Sequence, residues 1–125
     1  MIIISKKLFT KLLKNYTGIS IFPFIILKYG KDDFSTQPYE IIVNHERIHL
    51  RQQLETLVIF FYLLYLIFYI INRIKGMRHY DAYRNIPFER ESYINEKNLN
   101  YLKHRQFWNW ITFSRSQPSE TKLRI

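Results

Sequence analysis

The chain is predicted to be a mainly helical α+β domain, and three stretches predict it. Residues 40–73 hold no glycine or proline, Pro87 opens a second run rich in helix formers, and Gly18 to Lys28 (G-I-S-I-F-P-F-I-I-L-K) is β-branched and aromatic. The 125 residues suffice for one domain with a modest core and not for two independent ones. The expected layout is a single domain over 1–113 and a flexible tail over 114–125.

Taken in order, residues 1–17 begin M-I-I-I-S-K-K-L-F-T-K-L-L-K. Lysines interrupt every apolar run, and no small-residue cleavage site follows, so no cleavable signal peptide is read. Leu8, Phe9, Leu12 and Leu13 oppose Lys7, Lys11 and Lys14, which predicts a basic amphipathic helix. It would lie either on an anionic membrane or on the protein surface with its lysines solvated. Gly18 to Lys28 is read as one strand, placed at a sheet edge because Pro23 cannot donate to a ladder. A loop follows, and a long helix starts near Tyr39 or Glu40 and runs to Arg73. Gly76 ends it, Met77 to Asn85 is a short polar piece, and Pro87 is the first residue of a helix reaching about Ile111.

The second half of the long helix, Leu57 to Ile71, carries no charge over fifteen residues. It would rise about 22 Å, against a hydrocarbon core of about 30 Å. At about 100° per residue, Arg47, Arg51 and Glu55 continue into Tyr62, Tyr65, Tyr69 and Asn72 on one side. A half-buried or interfacial helix would carry that polar stripe; a lipid-immersed one has no use for it. Lys and Arg exceed Asp and Glu by nine, which suggests an anionic partner. The basic residues form no dense block and no groove-reading motif, so a membrane surface is expected over specific nucleic acid. The sequence has no cysteine, so thiol nucleophiles, disulfides and Cys-ligated zinc are excluded.

The chemistry-bearing stretch is N-H-E-R-I-H-L-R-Q-Q-L-E, from Asn44 to Glu55. His45-Glu46-Arg47-Ile48-His49 is H-E-x-x-H. On a helix, residues i and i+4 share a face, so both imidazoles can reach one Zn2+. Glu46 lies about 100° round the helix, where it can take a proton from an activated water without ligating. Zinc needs a third protein ligand, and the downstream candidates are His79, Asp81, Glu89, Glu91, Glu96 and His104.

With Glu89-Arg90-Glu91-Ser92-Tyr93 downstream, the sequence resembles the gluzincin-type zincin metallopeptidases, whose second helix supplies a glutamate in E-x-x-A-D. It is most similar to a group of small bacterial H-E-x-x-H proteins of unassigned activity sharing N-H-E-x-I-H-x-R-Q-Q-x-E, an apolar aromatic run and A-Y-R-N-I-x-F-E-R-E, over roughly Gly18 to Trp110. That resemblance implies a minimal zincin-like core: a long active-site helix, a second Glu-bearing helix and an edge strand. It implies Glu89 as third ligand, with Glu91 in reserve, although Ser92 replaces the small Ala and Tyr93 the final Asp. It also implies a peptide or protein substrate held along the edge strand by Ile19, Ile21, Phe22 and Phe24. Asp81 or Asn44 would orient a histidine, and Tyr93 or Tyr83 would stabilise an oxyanion. Gln52 and Gln53 would contact substrate or fill packing. Trp108 and Trp110 are either interfacial anchors or core.

The expected function is therefore a zinc-dependent metallohydrolase, a membrane-associated peptidase of a bacterial cell, either peripheral or single-pass. The alternative is a non-catalytic membrane or interaction protein with a structural metal or none. The two parts are in tension: if Leu57 to Ile71 crossed a bilayer, Glu89 would be stranded on the side away from His49. Two basic residues precede the run within about 20 positions (Arg47, Arg51) and five follow it (Arg73, Lys75, Arg78, Arg84, Arg90). A spanning helix would thus put H-E-x-x-H outside; an interfacial helix packed against its return segment is expected instead.

Overall fold

The computed structural model describes residues 1–11, 16–30 and 38–114. The chain is α+β: a small three-stranded sheet beside a set of helices. Strand β1 is Ile2–Ile4, helix α1 is Lys6–Lys11, and strands β2 and β3 are Gly18–Ile21 and Phe24–Leu27. Helices α2 (Tyr39–Glu55), α3 (Ile59–Ile74), α4 (His79–Arg84), α5 (Pro87–Asn95) and α6 (Tyr101–His104) follow, then a 3-10 turn over Asn109–Phe113.

The N-terminal segment opens on a strand rather than a helix. Three successive isoleucines favour extended backbone, and Ile2 to Ile4 pair in parallel with Ile25 to Leu27. The lysine-rich part is helical only as α1, which buries Phe9 completely; Leu12, Leu13 and Lys14 fall outside the described residues. The stretch from Gly18 to Lys28 is a hairpin of two strands. Phe22 and Pro23 form its turn, through a cis peptide bond. The sheet order β1-β3-β2 leaves β2 at an edge and β3 in the centre. Ile19 and Ile21 therefore belong to an edge strand, whereas Phe22 sits in the turn and Phe24 in the central strand.

The long helix is broken. Helices α2 and α3 meet at 109°. The Leu57 N–H donates to Leu54 O at 3.4 Å and the Val58 N–H to Gln53 O at 2.6 Å. These are the two bonds of a Schellman helix end, with Leu57 in the left-handed position at φ 56°. Val58 follows at φ 60°, ψ −59°, with Ile59 N–H bonded to Leu57 O at 2.6 Å, a γ-turn. Glycine usually occupies such positions; here leucine and valine do. Among the described residues, no single helix is long and apolar enough to cross a membrane; the bent pair passes only by length and composition.

The third helical run is also shorter than its pattern suggests. Helix α5 starts at Pro87 as expected and stops at Asn95. The Asn44 amide draws its end down by donating to the carbonyls of Asn95 (3.4 Å), Glu96 (2.8 Å) and Asn98 (3.0 Å).

Two apolar clusters flank a polar seam. Ile25, Leu27, Ile42 and Val43 join sheet to α2, while Phe61, Ile86, Phe88 and Trp110 join α3 to α5 and the C-terminal turn. Trp110 is thus a core residue. Between them, Arg105 bridges Glu55 and Glu91, with all three side chains fully removed from solvent. Tyr101 O–H and Gln52 Nε2 also donate to Glu91, and the Trp108 N–H to Glu55.

Two stability outcomes follow. Leu57→Gly should raise the urea midpoint: relief of a left-handed leucine gives about 1–2 kcal/mol, against about 0.5–1 kcal/mol of extra chain entropy. An unbroken helix would instead lose about 1 kcal/mol at that position. Arg105→Ala should cost about 3–5 kcal/mol by leaving two buried carboxylates uncompensated, read by the same titration.

Candidate metal centre

Helix α2 buries one whole side of polar groups: Asn44, His45, Glu46, His49, Gln52, Gln53 and Glu55 are all at most 7% exposed. Such groups must each find a partner. Helix α5 supplies many of them, and it brings Glu89 against both histidines.

The three ligand atoms form a near-equilateral triangle. His45 Nε2 and His49 Nε2 are 3.2 Å apart, and Glu89 Oε1 lies 3.2 Å from the first and 3.1 Å from the second. A tetrahedral zinc with bonds of about 2.0–2.1 Å sets its ligands about 3.3–3.4 Å apart. The buried His45–His49–Glu89 group can therefore hold a metal ion.

The hydrogen bonds behind the triangle decide which atoms face inward. His45 Nδ1–H donates to Glu96 Oε1 at 2.8 Å, and His49 Nδ1–H to Gln52 Oε1 at 2.7 Å. Gln52 is oriented in turn, since its Nε2 donates to Phe88 O at 3.1 Å and Glu91 Oε1 at 2.9 Å. A carboxylate and an amide oxygen accept only, so both Nδ1 atoms carry the hydrogen and both Nε2 atoms present lone pairs. Tyr65 O–H donates to the outer Glu89 oxygen at 2.6 Å, turning Oε1 inward. Three lone pairs meeting at this distance repel unless a positive charge lies between them.

The proton affinities report the same demand. Burial pulls His45 down, yet its bonds to Glu89 and Glu96 outweigh that and raise it to about 10. His49 is raised by Glu89 against the same burial. Burial alone would lift Glu89, but His49 and His45 bring it well below the usual carboxylate range. Glu46 is pushed up by burial, opposed by the two histidines and by a hydrogen bond with Ser20.

Beside the triangle lies a cavity of about 270 Å³, lined by Gly18, Ile19 and Ser20 of β2, by Phe61, Tyr62 and Tyr65 of α3, by Tyr16 and Tyr83, and by Glu46, His49 and Glu89; His45 lines a second hollow with Tyr93 and Glu96. Strand β2 comes close because residue 18 is glycine: a Cβ there would stand 3.0 Å from a Leu27 methyl and 3.5 Å from the Glu46 carboxylate. Burial raises the Tyr65 and Tyr83 phenols well above 10, so both remain O–H groups.

Of the residues picked from sequence, His45, Glu46, His49 and Glu89 converge. Glu91 does not reach the histidines; Arg105 and Tyr101 hold it, and it acts only through Gln52. Asp81 is exposed on α4, and neither it nor Asn44 is the partner of the His45 or His49 Nδ1. That role falls to Glu96 and Gln52. Tyr93 packs its ring edge-on against His45 at 4.5 Å between centroids and shares a 2.6 Å hydrogen bond with Tyr83. It is raised to about 12, mainly by burial. Ser92, in place of alanine, donates to the His45 carbonyl at 2.7 Å. Gln53 holds β2, accepting from Phe22 N–H at 2.8 Å and donating to Ser20 O at 3.0 Å.

Comparison with protein-family models, with curated proteins and with solved structures gives no match for this chain.

Removing either orienting group should weaken metal binding about 10–100-fold, so Glu96→Gln and Gln52→Ala are expected to do so in competition with a chromophoric chelator. Because the metal-free pair holds protons, affinity should fall as pH drops, and loading at pH 6 should release protons, seen as buffer-dependent heats.

Proposed function

We propose that the protein is a zinc-dependent hydrolase of peptide bonds, with His45, His49 and Glu89 as metal ligands and Glu46 as the general base. The observation that carries this reading is the triangle of inward lone pairs beside a largely apolar, tyrosine-rich cavity that Glu46, His49 and Glu89 line. A structural zinc site is closed by a fourth protein ligand, whereas a catalytic one keeps a position free. The N/O donor set is the one zinc takes in catalytic sites, which supports zinc over harder cations.

Bound there, zinc would supply a Lewis acid able to bring a water's pKa to about 7. The chain's own groups do the rest. Glu46 faces the cavity beside Ser20, where its carboxylate can accept the proton of an attacking water and return it to the leaving amine. Tyr83, held as a phenol, offers an O–H on the cavity wall.

A substrate peptide has backbone to bind. Lys28 N–H donates to Thr17 O, so Thr17, Ile19 and Ile21 pair with β3, and Gly18 and Ser20 turn their backbone groups to the free edge. The Ser20 carbonyl is taken by Gln53 and Tyr62. The edge left beside Glu46 is thus short and centred on Gly18, enough for a residue or two of an extended peptide.

Metal content and hydrolysis of a quenched-fluorescent peptide library test this together. One zinc per chain is expected in the wild type, lost in His49→Ala and kept in Glu46→Gln, with Glu46→Gln lowering hydrolysis about 10²–10⁴-fold. Zinc-loaded protein without hydrolysis, or with hydrolysis indifferent to Glu46→Gln, would make the metal structural and the protein a non-catalytic one.

A further inference from the structure

Helix α3 has two unlike sides. Phe61, Tyr65, Phe68 and Asn72 turn toward α4, α5 and the C-terminal turn. About 180° away at helical spacing lie Leu63, Leu66, Ile67, Ile70 and Ile74, between 42% and 80% exposed. The patch continues round the bend through Leu57 and Ile59, exposed at 72% and 76%. The bond from Trp108 N–H to Glu55 sets the exposed Phe107–Trp108 pair beside that bend. An apolar surface this continuous is rare on a protein that water alone surrounds.

We propose that this face of α3 docks on an anionic lipid bilayer, the helix lying in the interface plane. Charge selects the occupant. The chain carries a net +9, and Arg73 and Lys75 stand exposed at the C-terminal end of α3, with Arg78 exposed just beyond it at the start of α4. Among the described residues none of the three makes a salt bridge. Apolar side chains over a basic border, with an aromatic pair at the far end, fit lipid tails, anionic headgroups and the interfacial belt respectively. A second copy of the chain would bring another +9 to the same place. The cavity also borders this face, since Tyr62, 40% exposed, lines it from α3. The docking itself needs neither metal nor turnover, so it stands or falls apart from the hydrolase reading.

Sedimentation of the full chain with phosphatidylcholine vesicles, with and without phosphatidylglycerol, tests the proposal. The wild type should pellet with phosphatidylglycerol vesicles and release with added salt. Leu66→Glu with Ile70→Glu should weaken binding at least tenfold while helix content and metal loading stay unchanged. Arg73→Gln and Lys75→Gln should each cost about fivefold on phosphatidylglycerol vesicles alone. Wild-type protein left in the supernatant with both vesicles overturns the proposal. It does so whether the chain then sediments as a monomer or as a dimer that Leu66→Glu with Ile70→Glu dissociates, the dimer assigning the face to a second copy.

Discussion

Seven polar side chains buried along one side of α2 set the terms for everything around it. Hydrocarbon can be buried against any hydrocarbon, but an imidazole, amide or carboxylate taken from water needs a partner at hydrogen-bond distance and angle. Asn44 fixes where α5 ends, His45 and His49 fix where Glu89 and Glu96 stand, and Gln53 fixes the β2 edge. Glu55 reaches Arg105, drawing the C-terminal segment across the seam. The apolar clusters on either side add burial energy without register. The polar seam supplies the register, and the His45–His49–Glu89 triangle is its most demanding part.

The bend after Thr56 answers a geometric problem. Glu89 must return to the histidines after an uncharged stretch of fifteen residues. Straight continuation of α2 would carry that stretch about 1.5 Å per residue away from the site. Turning through 109° lays α3 across the cavity instead, so that Tyr62 and Tyr65 become part of its wall and Tyr65 holds the ligand carboxylate. The tension between a membrane-crossing helix and a closing Glu89 disappears, because the helix never runs straight.

How much of this can be read from residues alone depends on the range of the interaction. The H-E-x-x-H pair is legible because its spacing is local, and Pro87 and Gly76 mark helix ends by backbone chemistry. Glu89 needed the resemblance, since three other carboxylates downstream have equal chemistry. The bend was hidden because leucine and valine occupy left-handed positions that glycine normally signals. As a residue type Glu96 reads as a ligand candidate and not as the group behind His45; it stands seven residues past Glu89 as the cap of α5, so that helix and its cap hold the imidazole from both sides. Gln52 sat on the histidine face with two readings open. Arg105 gave no sign, its carboxylates lying 14 and 50 positions away. The β1 pairing was masked by the lysines that follow it.

The separation of the ligands along the chain has a consequence of its own. His49 and Glu89 are 40 positions apart, with all of α3 and α4 between them. A cation gripped by both would tie that stretch into a ring, as a disulfide would. Closing a ring of that size takes about 4 kcal/mol of freedom from the unfolded chain. A polypeptide with no cysteine would thus own a reversible fastener, and its resistance to unfolding would rise and fall with the free metal concentration around it.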